Sequence, residues 1–162
     1  MEFLAMALFA LGIAGADQIT KLLVINNIEM GATVPVIPGL FHFTQVHNIG
    51  AAFSILQGMR WLFVALFLAL TAALLWEYFK KRLPFTTLER WCLAAIYGGG
   101  LGNIIDRIFR GYVVDMIAVE FMDFPVFNLA DSFISCGCVL LLLHLAFFNR
   151  RFWRETPHAS DG

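Results

Sequence analysis

Residues 61–79 read WLFVALFLALTAALLWEYF, a stretch with a single carboxyl group, that of Glu77. A helix needs roughly 20 apolar residues to cross the hydrocarbon core of a bilayer, so this stretch predicts a transmembrane helix. Three further apolar runs predict three more helices, at about residues 3–25, 91–109 and 129–148. We therefore expect an all-α integral membrane protein that forms one domain over residues 1–162.

The composition of the whole chain agrees with this expectation. Hydrophobic residues make up 60% of the sequence and charged residues 14%, whereas a soluble domain has about 25% charged residues. The net charge of -1 and the pI near 6.4 provide no basic footprint, which argues against nucleic-acid binding. The three cysteines lie in apolar stretches and are interpreted as packing residues rather than as a disulfide framework.

The first apolar run is located where a secretory signal peptide would be. Only Glu2 precedes it, where a signal peptide has a basic region, and its distal end is interrupted by Asp17, Gln18 and Lys21. We therefore interpret it as a retained helix. Asp17 and Lys21 lie one helical turn apart, a spacing that permits an ion pair on one face. From the pattern alone, we expect this pair to anchor and orient the helix.

The positions of lysine and arginine predict the orientation of the chain. Seven of the eleven basic residues fall in two clusters, one between Lys80 and Arg90 and the other between Arg150 and Arg154. Short loops rich in lysine and arginine remain in the cytoplasm. Both termini and the loop from Lys80 to Arg90 are therefore predicted to be cytoplasmic, and the external segments are about 26–60 and 110–128.

The two external segments have different patterns. Apolar side chains alternate among turn residues in the first segment, which predicts short strands: Val34, Val36, Phe41, Phe43 and Val46, with Pro35, Pro38 and Gly39. In the second segment, residues 116–125 are apolar apart from two acids. They are too few to span a membrane, and we expect them to lie at its surface.

The third span contains Gly98-Gly-Gly-Leu-Gly-Asn-Ile-Ile-Asp-Arg107. Its four glycines predict the close approach of another helix. Asn103, Asp106 and Arg107 can share one helix face and form a hydrogen-bonded cluster at the external end. We expect a structural role for Asp106, because an adjacent arginine favours the ionised carboxylate.

Asp115 and Asp131 are both predicted at the external membrane boundary. Asp131 also fits an ordinary acid at a helix N-terminus, and a salt bridge within the loop would explain Asp115. Alternatively, the two carboxyl groups face each other in a poorly hydrated gap, where they would share one proton. One would then draw a proton from water while the other donates to a carbonyl oxygen. This is the chemistry of an aspartic peptidase.

Other catalytic chemistries lack the patterns that they require. His42 and His47 lie five residues apart, without an HExxH helix or a cysteine pair at zinc spacing, so we expect no metal site. No GxSxG motif supports a serine nucleophile, and Cys136-Gly-Cys138 lacks the redox spacing. His144 is interpreted as a helix-packing residue.

The chain carries five short motifs in this order: Asp17-Gln-Ile-Thr-Lys21, Asn48-Ile-Gly-Ala-Ala-Phe53, Gly99-Gly-Leu-Gly-Asn103 with Asp106-Arg107, Val113-Val-Asp115 and Phe127-Asn-Leu-Ala-Asp131. In this order and at these spacings, they resemble the bacterial lipoprotein signal peptidases, or type II signal peptidases. The resemblance covers nearly the whole chain. Small departures are Ile49, where threonine is frequent in that family, and Met116, where phenylalanine is frequent.

The resemblance implies that Asp115 and Asp131 are the catalytic residues of an aspartic-type hydrolase. Such enzymes remove the signal peptide of a prolipoprotein, before a cysteine that carries diacylglycerol, at the outer face of the bacterial cytoplasmic membrane. Supporting or substrate-contacting roles are implied for the other motif residues: Asp17, Lys21, Asn48, Gly50, Asn103, Asp106, Arg107 and Asn128.

The resemblance also implies a fold of four transmembrane helices with a small external β-cradle and an external lid near the active site. Residues 34–46 match the cradle, and residues 116–125 are the candidate lid. We expect a monomer in contact with membrane lipids, without a metal or organic cofactor. The two acyl chains of the substrate cannot readily leave the bilayer, which explains why the enzyme would work at the interface.

Two other classes of function compete with this interpretation. A small transporter or proton channel would use Asp17, Lys21, Asp106 and Asp115 as a relay. However, the acids cluster on the external side, so the cytoplasmic half of a path across the membrane would have none of these relay residues along it. A non-catalytic scaffold protein would explain the glycines but does not require aspartates at the boundary. Uptake into liposomes would identify the transporter, and a phenotype of Asp115 substitution would argue against the scaffold.

Overall fold

The computed structural model describes residues 1–50 and 56–155, which form a mostly helical protein with one small sheet. The helices are α1 Glu2–Asn27, α2 Arg60–Lys80, α3 Thr87–Phe109, α4 Leu129–Phe147 and α5 Arg150–Glu155. The strands are β1 Val34–Ile37, β2 Phe41–Asn48 and β3 Val113–Val119. Among the helices in these two ranges, α1, α2 and α4 are long and apolar enough to cross a membrane.

The glycines of α3 let it pack closely against α1 and α4, as their number in the sequence predicted. A Cβ atom added at Gly98 would lie 2.7 Å from the carbonyl oxygen of Ala10 in α1. A Cβ atom at Gly99 would lie 2.5 Å from the carbonyl oxygen of Ala130 in α4. Both contacts are with backbone, which cannot move aside as a flexible side chain can. These glycines therefore set the distance between the helices.

We expect Gly99→Ala to destabilise the protein, because the added methyl group would push α4 away from α3. Overpacking of this kind costs about 1–3 kcal/mol, which would be measured as a lower midpoint of thermal unfolding in detergent. Gly12→Ala in α1 is the matched control, since a Cβ atom there meets nothing within 4 Å. The control should leave the midpoint unchanged or raise it, because alanine is favoured over glycine inside a helix. Equal midpoints for the two variants would contradict this prediction.

The sheet is antiparallel, with β2 between β1 and β3. Val34 of β1 pairs with Phe43 of β2, and Val46 of β2 pairs with Asp115 of β3. The register between β2 and β3 shifts between Phe43 and Val46, where the pairing is irregular. The short strands predicted from the alternating pattern are therefore confirmed, and the sheet connects this segment to the strand that carries Asp115.

The prediction that residues 116–125 lie as one segment at the membrane surface is wrong for its first part. Residues 116–119 complete β3, in which Met116 is 3% exposed and Ala118 is 8% exposed. A run of apolar residues occurs in a strand that protein covers on both faces as well as in an interfacial segment, so the sequence of residues 116–119 does not distinguish the two. After β3 the large side chains are exposed: Phe121, Met122 and Phe124.

Candidate active site

Strand β3 and the first turn of α4 position the two aspartates. Asp115 lies within β3 and is 2% exposed. Asp131 is the third residue of α4, and it forms a reciprocal cap with Asn128, the residue before the helix. The amide N–H of Asp131 donates to Oδ1 of Asn128 over 2.9 Å, and the amide N–H of Asn128 donates to Oδ2 of Asp131 over 3.2 Å. The predicted position of Asp131 at a helix N-terminus is confirmed.

The side chains of two asparagines connect the two carboxyl groups, and a third asparagine contacts Asp115. Nδ2 of Asn128 donates to Oδ1 of Asp115 over 2.6 Å and to Oδ1 of Asn103 over 3.1 Å. Nδ2 of Asn103 donates to Oδ1 of Asp131 over 2.7 Å. Nδ2 of Asn48 donates to Oδ2 of Asp115 over 3.0 Å. The structure thus places both aspartates in one hydrogen-bonded cluster built from β2, β3, α3 and the start of α4.

Both aspartates line a cavity of about 530 Å³. Its wall is mostly apolar, chiefly through residues 124–127 before α4, and polar side chains form the rest. The lining residues are Asn48, Asn103, Arg107, Val113, Asp115, Phe124, Pro125, Val126, Phe127, Asp131, Ser132, Ile134, Ser135 and Cys136. A mostly apolar pocket with a few convergent polar groups is the usual form of a ligand site.

Burial raises the pKa of Asp115 to about 6, and the nearby charge of Asp131 acts in the same direction. The hydrogen bonds from Asn48 and Asn128 oppose this shift, because they stabilise the ionised carboxylate. Burial is the largest of these effects. Asp115 therefore keeps its proton to a higher pH than an exposed aspartate does.

Lys21, which lies in α1 and is fully buried, contacts this cluster. Its Nζ atom is 2.8 Å from Oδ2 of Asp17 and 2.9 Å from Oδ2 of Asp106. The ion pair predicted from the spacing of Asp17 and Lys21 is therefore present. Nζ also donates to Oδ1 of Asn103 over 2.9 Å. Since this amide oxygen accepts from Lys21, the amide NH₂ of Asn103 is directed at Asp131.

The carboxylate of Asp17 extends the same network to α4. Its Oδ1 atom accepts a hydrogen bond of 3.0 Å from the backbone N–H of Ala130. This N–H belongs to the first turn of α4, where the helix itself provides no acceptor. Asp17 thus accepts the hydrogen bond of an N–H group that has no acceptor within α4, next to Asp131. The ion pair of Asp17 and Lys21 therefore does more than orient α1.

Asp106 is fully buried, but its partner is not the arginine that the sequence suggested. It forms ion pairs with Lys21 and Arg110, and Oδ2 accepts from the backbone N–H of Val114 over 3.1 Å. Among the described residues Asp106 forms no ion pair with the adjacent Arg107, because neighbouring residues of a helix point in different directions, whereas residues four apart share a face.

Arg107 instead connects the site to the segment after β2. Its guanidinium group donates to the carbonyl oxygen of Gly50 over 2.9 Å and lies 4.4 Å from the ring centroid of Phe63. The backbone N–H of Gly50 donates to Oδ1 of Asn48 over 2.9 Å. Residues 51–53 of the motif from Asn48 to Phe53 lie outside the described residues.

Gln18 and Arg110 join the polar network around Asp106, although the sequence pattern indicated no role for either of them. Gln18 donates to the carbonyl oxygen of Gly102 over 3.0 Å and to Oδ1 of Asp106 over 3.1 Å. Arg110 donates to Oε1 of Gln18 over 2.8 Å. Two signals were available in the sequence: the cost of a polar amide inside an apolar helix and the position of Arg110 four residues after Asp106.

The histidines considered as metal ligands have other partners. Nδ1 of His42 lies 2.9 Å from Oε1 of Glu120, which follows β3. This hydrogen bond, together with one from the backbone N–H of Gly39, holds the pKa of Glu120 below its ordinary value. The ring of His47 stacks on Tyr112 with centroids 3.8 Å apart. Both histidines therefore stabilise the sheet and its connections.

His144 lies at the opposite end of the helices from the aspartates. Its Nδ1 atom is 2.8 Å from Oε1 of Glu89, a fully buried carboxyl group at the start of α3. Oε2 of Glu89 accepts from Nδ2 of Asn149 over 2.7 Å and from the backbone N–H of Thr86 over 2.7 Å. His144 is thus a helix-packing residue, as expected, and it acts through a polar contact.

Comparison with known proteins agrees with the motifs. A family model described as signal peptidase (SPase) II matches residues 9–147. The lipoprotein signal peptidase of Streptococcus thermophilus (strain CNRZ 1066) is 41% identical over 155 residues, which cover 96% of each chain. That of Trichormus variabilis is 45% identical over 134 residues, which cover 78% of this chain and 80% of the relative.

Two solved structures share the fold. One is described as a bacterial membrane enzyme structure obtained by the in meso method at 2.3 Å resolution. It has a TM-score of 0.83 and 30% identity, over 91% of this chain and 90% of the other. A second bacterial membrane enzyme structure, at 1.9 Å, has a TM-score of 0.79 and 31% identity. With a match to the family model over most of its length, this chain belongs to the signal peptidase II family of bacterial membrane peptidases.

Proposed function

We propose that this protein is an aspartic endopeptidase that removes the signal peptide from prolipoproteins by means of Asp115 and Asp131. One observation carries the proposal: the two carboxyl groups line the same cavity and are joined through the side chains of Asn128 and Asn103. Membership of the signal peptidase II family supports the reaction, since its relatives are named lipoprotein signal peptidases.

The environments of the two carboxyl groups favour different roles. Asp131 lies in the first turn of α4, where the partial positive charge of the helix and two N–H donors stabilise its carboxylate. Asp115 is almost completely buried, and burial favours its protonated form. Asp131 therefore acts as the general base and Asp115 as the general acid.

Hydrolysis then needs no covalent intermediate. Asp131 takes a proton from a water molecule as the water oxygen attacks the carbonyl carbon of the scissile peptide bond, and Asp115 donates its proton to the carbonyl oxygen. The tetrahedral intermediate collapses as its C–N bond breaks: the leaving nitrogen takes up the proton that Asp131 removed from water, and the hydroxyl formed from the carbonyl oxygen returns its proton to Asp115 as the C=O bond re-forms. Each carboxylate oxygen has two acceptor positions, so the hydrogen bonds to Asn103 and Asn128 leave Asp131 able to accept from water.

The shape of the cavity suits a lipid-modified substrate. Its apolar wall includes Val113, Phe124, Val126 and Ile134 beside the two carboxyl groups. A cysteine that carries diacylglycerol holds two acyl chains, which remain in the bilayer. The scissile bond before this cysteine must therefore be cleaved at the membrane boundary, where apolar chains and the catalytic water can both be accommodated. Residues 120–125, which follow β3, are the candidate lid over this cavity.

The proposed topology has four crossings, with α3 as the third. Its charged residues Asp106 and Arg107 face partners inside the protein, so α3 need not be as apolar as the helices around it. The basic residues then place both termini and the loop from Lys80 to Arg90 in the cytoplasm, with both aspartates at the extracytoplasmic face. A reporter enzyme that works only in the cytoplasm should be active when it is fused to the C-terminus, and a reporter that works only in the periplasm should be inactive there. Activity of the periplasmic reporter would contradict this topology.

Cleavage of a purified prolipoprotein tests the reaction and the substrate class together. We expect the protein to release the signal peptide when the substrate cysteine carries diacylglycerol. The same prolipoprotein with serine in place of that cysteine cannot be modified by thioether formation and should remain uncut. Cleavage of both substrates would reject the lipid requirement, whereas cleavage of neither by a folded protein would reject the reaction.

The raised pKa of Asp115 predicts a pH dependence. Below about pH 6 Asp115 is protonated and can donate to the carbonyl oxygen. Above that pH Asp115 loses its proton, so the general acid is lost and kcat/KM should decrease by about tenfold for each further pH unit. The measurement is the cleavage rate at low substrate concentration across this range, with thermal unfolding recorded at each pH. A rate that increases through pH 6 while the protein stays folded would reverse the assigned roles.

A further inference from the structure

A second cavity, of about 710 Å³, lies between α1, α2 and α3. Its wall on α3 includes Ala94, Tyr97 and Leu101, whose spacing places them on one face of that helix. Asn103 and Arg107, which line the cavity of the aspartates, are on another face. This groove is therefore separate from the proposed active site, and none of its residues is needed for the reaction described above.

The groove has the dimensions of one leaflet of a bilayer. It extends from Glu2 to Leu11 on α1 and from Arg90 to Leu101 on α3, which corresponds to about 14–17 Å at the helical rise of 1.5 Å per residue. Half of a hydrocarbon core is about 15 Å thick. Most of the wall along this length is apolar, including Phe3, Leu74 and Leu93. A single acyl chain of one leaflet matches both the length and the polarity.

The charges of the groove lie at one end. Glu2, Glu77, Lys81 and Arg90 line it there. Lys80, at the end of α2, and Arg82, in the loop that follows, are close in sequence but do not line the groove. The carboxylate of Glu2 pairs with Arg90 over 3.2 Å, and that of Glu77 accepts from the backbone N–H of Leu83 over 2.7 Å. Within residues 1–50 and 56–155, Lys81 has no ion pair. The two acids and two basic residues that line the groove balance in charge, and since Arg90 is paired with Glu2, Lys81 provides the ammonium group that is available to a ligand.

We propose that this groove binds one anionic glycerophospholipid of the cytoplasmic leaflet, with its phosphate at Lys81 and Arg90 and an acyl chain between α1 and α2. Basic pockets between transmembrane helices on the cytoplasmic side are suited to anionic headgroups. Helix α2 has no buried residue, so the bound chain would supply packing that the protein itself does not provide. The inference rests on the proposed orientation of the helices and is independent of the peptidase activity.

The test is native mass spectrometry of the purified protein in detergent, titrated with phosphatidylglycerol or with phosphatidylcholine of the same acyl chains. We expect one phosphatidylglycerol per protein and weaker binding of phosphatidylcholine. Lys81→Gln should weaken phosphatidylglycerol binding about fivefold, the effect of one basic residue near an anionic headgroup. Lys80→Gln is the matched control, because Lys80 lies over the ring of Trp76 and does not line the groove.

A second pair of variants tests where the acyl chain lies. Ala94→Phe places a ring in the groove and should reduce binding more than tenfold, whereas Ala65→Phe, on an exposed position of α2, should not. Equal effects of the two lysine variants, or unimpaired binding by Ala94→Phe, would overturn the proposal. So would equal affinity for the two lipids, or a mass showing that a second protein chain occupies the surface instead. Thermal unfolding of each variant shows that it is folded, and the readout does not use cleavage.

Discussion

Asp115→Asn and Asp131→Asn are each expected to abolish cleavage of the diacylglyceryl-modified prolipoprotein. General acid–base catalysis by one group typically contributes about 10²–10⁴-fold to a rate. Each variant removes one of the two groups, and an asparagine can neither take a proton from water nor donate one to a carbonyl oxygen at these pH values. The measurement is the initial rate of signal-peptide release by equal amounts of purified protein.

Glu29→Gln is the matched control for these variants. Glu29 is an exposed carboxyl group in the segment between α1 and β1, and it does not line the cavity. The same chemical change there should leave the rate within twofold of the original, on the order of the small effects typical of surface substitutions. In Asp131→Asn the side-chain oxygen can still accept from Asn103, so we expect this protein to fold. Full activity of either Asp115→Asn or Asp131→Asn would remove that residue from catalysis.

Lys21→Met is expected to have the largest effect on stability. Lys21, Asp17 and Asp106 are all fully buried, and the single ammonium group of Lys21 contacts both carboxylates. Removing one partner of a buried ion pair costs about 3–5 kcal/mol; here the carboxylate of Asp17 would have neither water nor a counterion, whereas Asp106 would keep Arg110. Asn103 would also lose the donor that fixes its amide. We expect a much lower unfolding midpoint and a lower cleavage rate.

Two comparisons separate this explanation from a general effect of losing a lysine. Lys80→Met removes an exposed ammonium group and should change the midpoint little. The double variant Lys21→Met with Asp17→Asn should be more stable than Lys21→Met alone, because it no longer buries the unpaired carboxylate of Asp17. An asparagine there retains an oxygen for the N–H of Ala130. If the double variant were as unstable as the sum of the single variants, the buried charge would not be the cause.

Long-range contacts mark the limit of what the sequence could predict. The apolar runs predicted helices because length and hydropathy are local properties, and the alternation in residues 34–46 predicted strands for the same reason. The sequence also placed Asp131 at a helix start. However, the partners of Asp115 are Asn48 and Asn128, which lie 67 and 13 residues away along the chain. Without the family resemblance, no local pattern indicated that these groups meet.

The errors have physical causes of the same kind. The apolar pattern of residues 116–119 is the same whether lipid or protein covers them. It therefore does not distinguish a segment at the membrane surface from a strand within a sheet. The adjacent Arg107 suggests the charge that stabilises Asp106, whereas the helix turns this carboxyl group towards Arg110 and Lys21. The role of Gln18 depends on the distance between α1 and α3, which the glycines set. Each of these features is determined by how helices and strands pack together.

The reciprocal cap between Asn128 and Asp131 also has a consequence for the energy of the transition state. The carboxylate that would receive the proton from water already holds two fixed N–H donors, one from the backbone and one from Asn103. These dipoles are oriented when the protein folds, so they need not reorganise as charge moves during the reaction. In water, by contrast, solvent molecules would have to reorient around the changing charge. This is electrostatic preorganisation, and here it arises from the same hydrogen bonds that begin a helix.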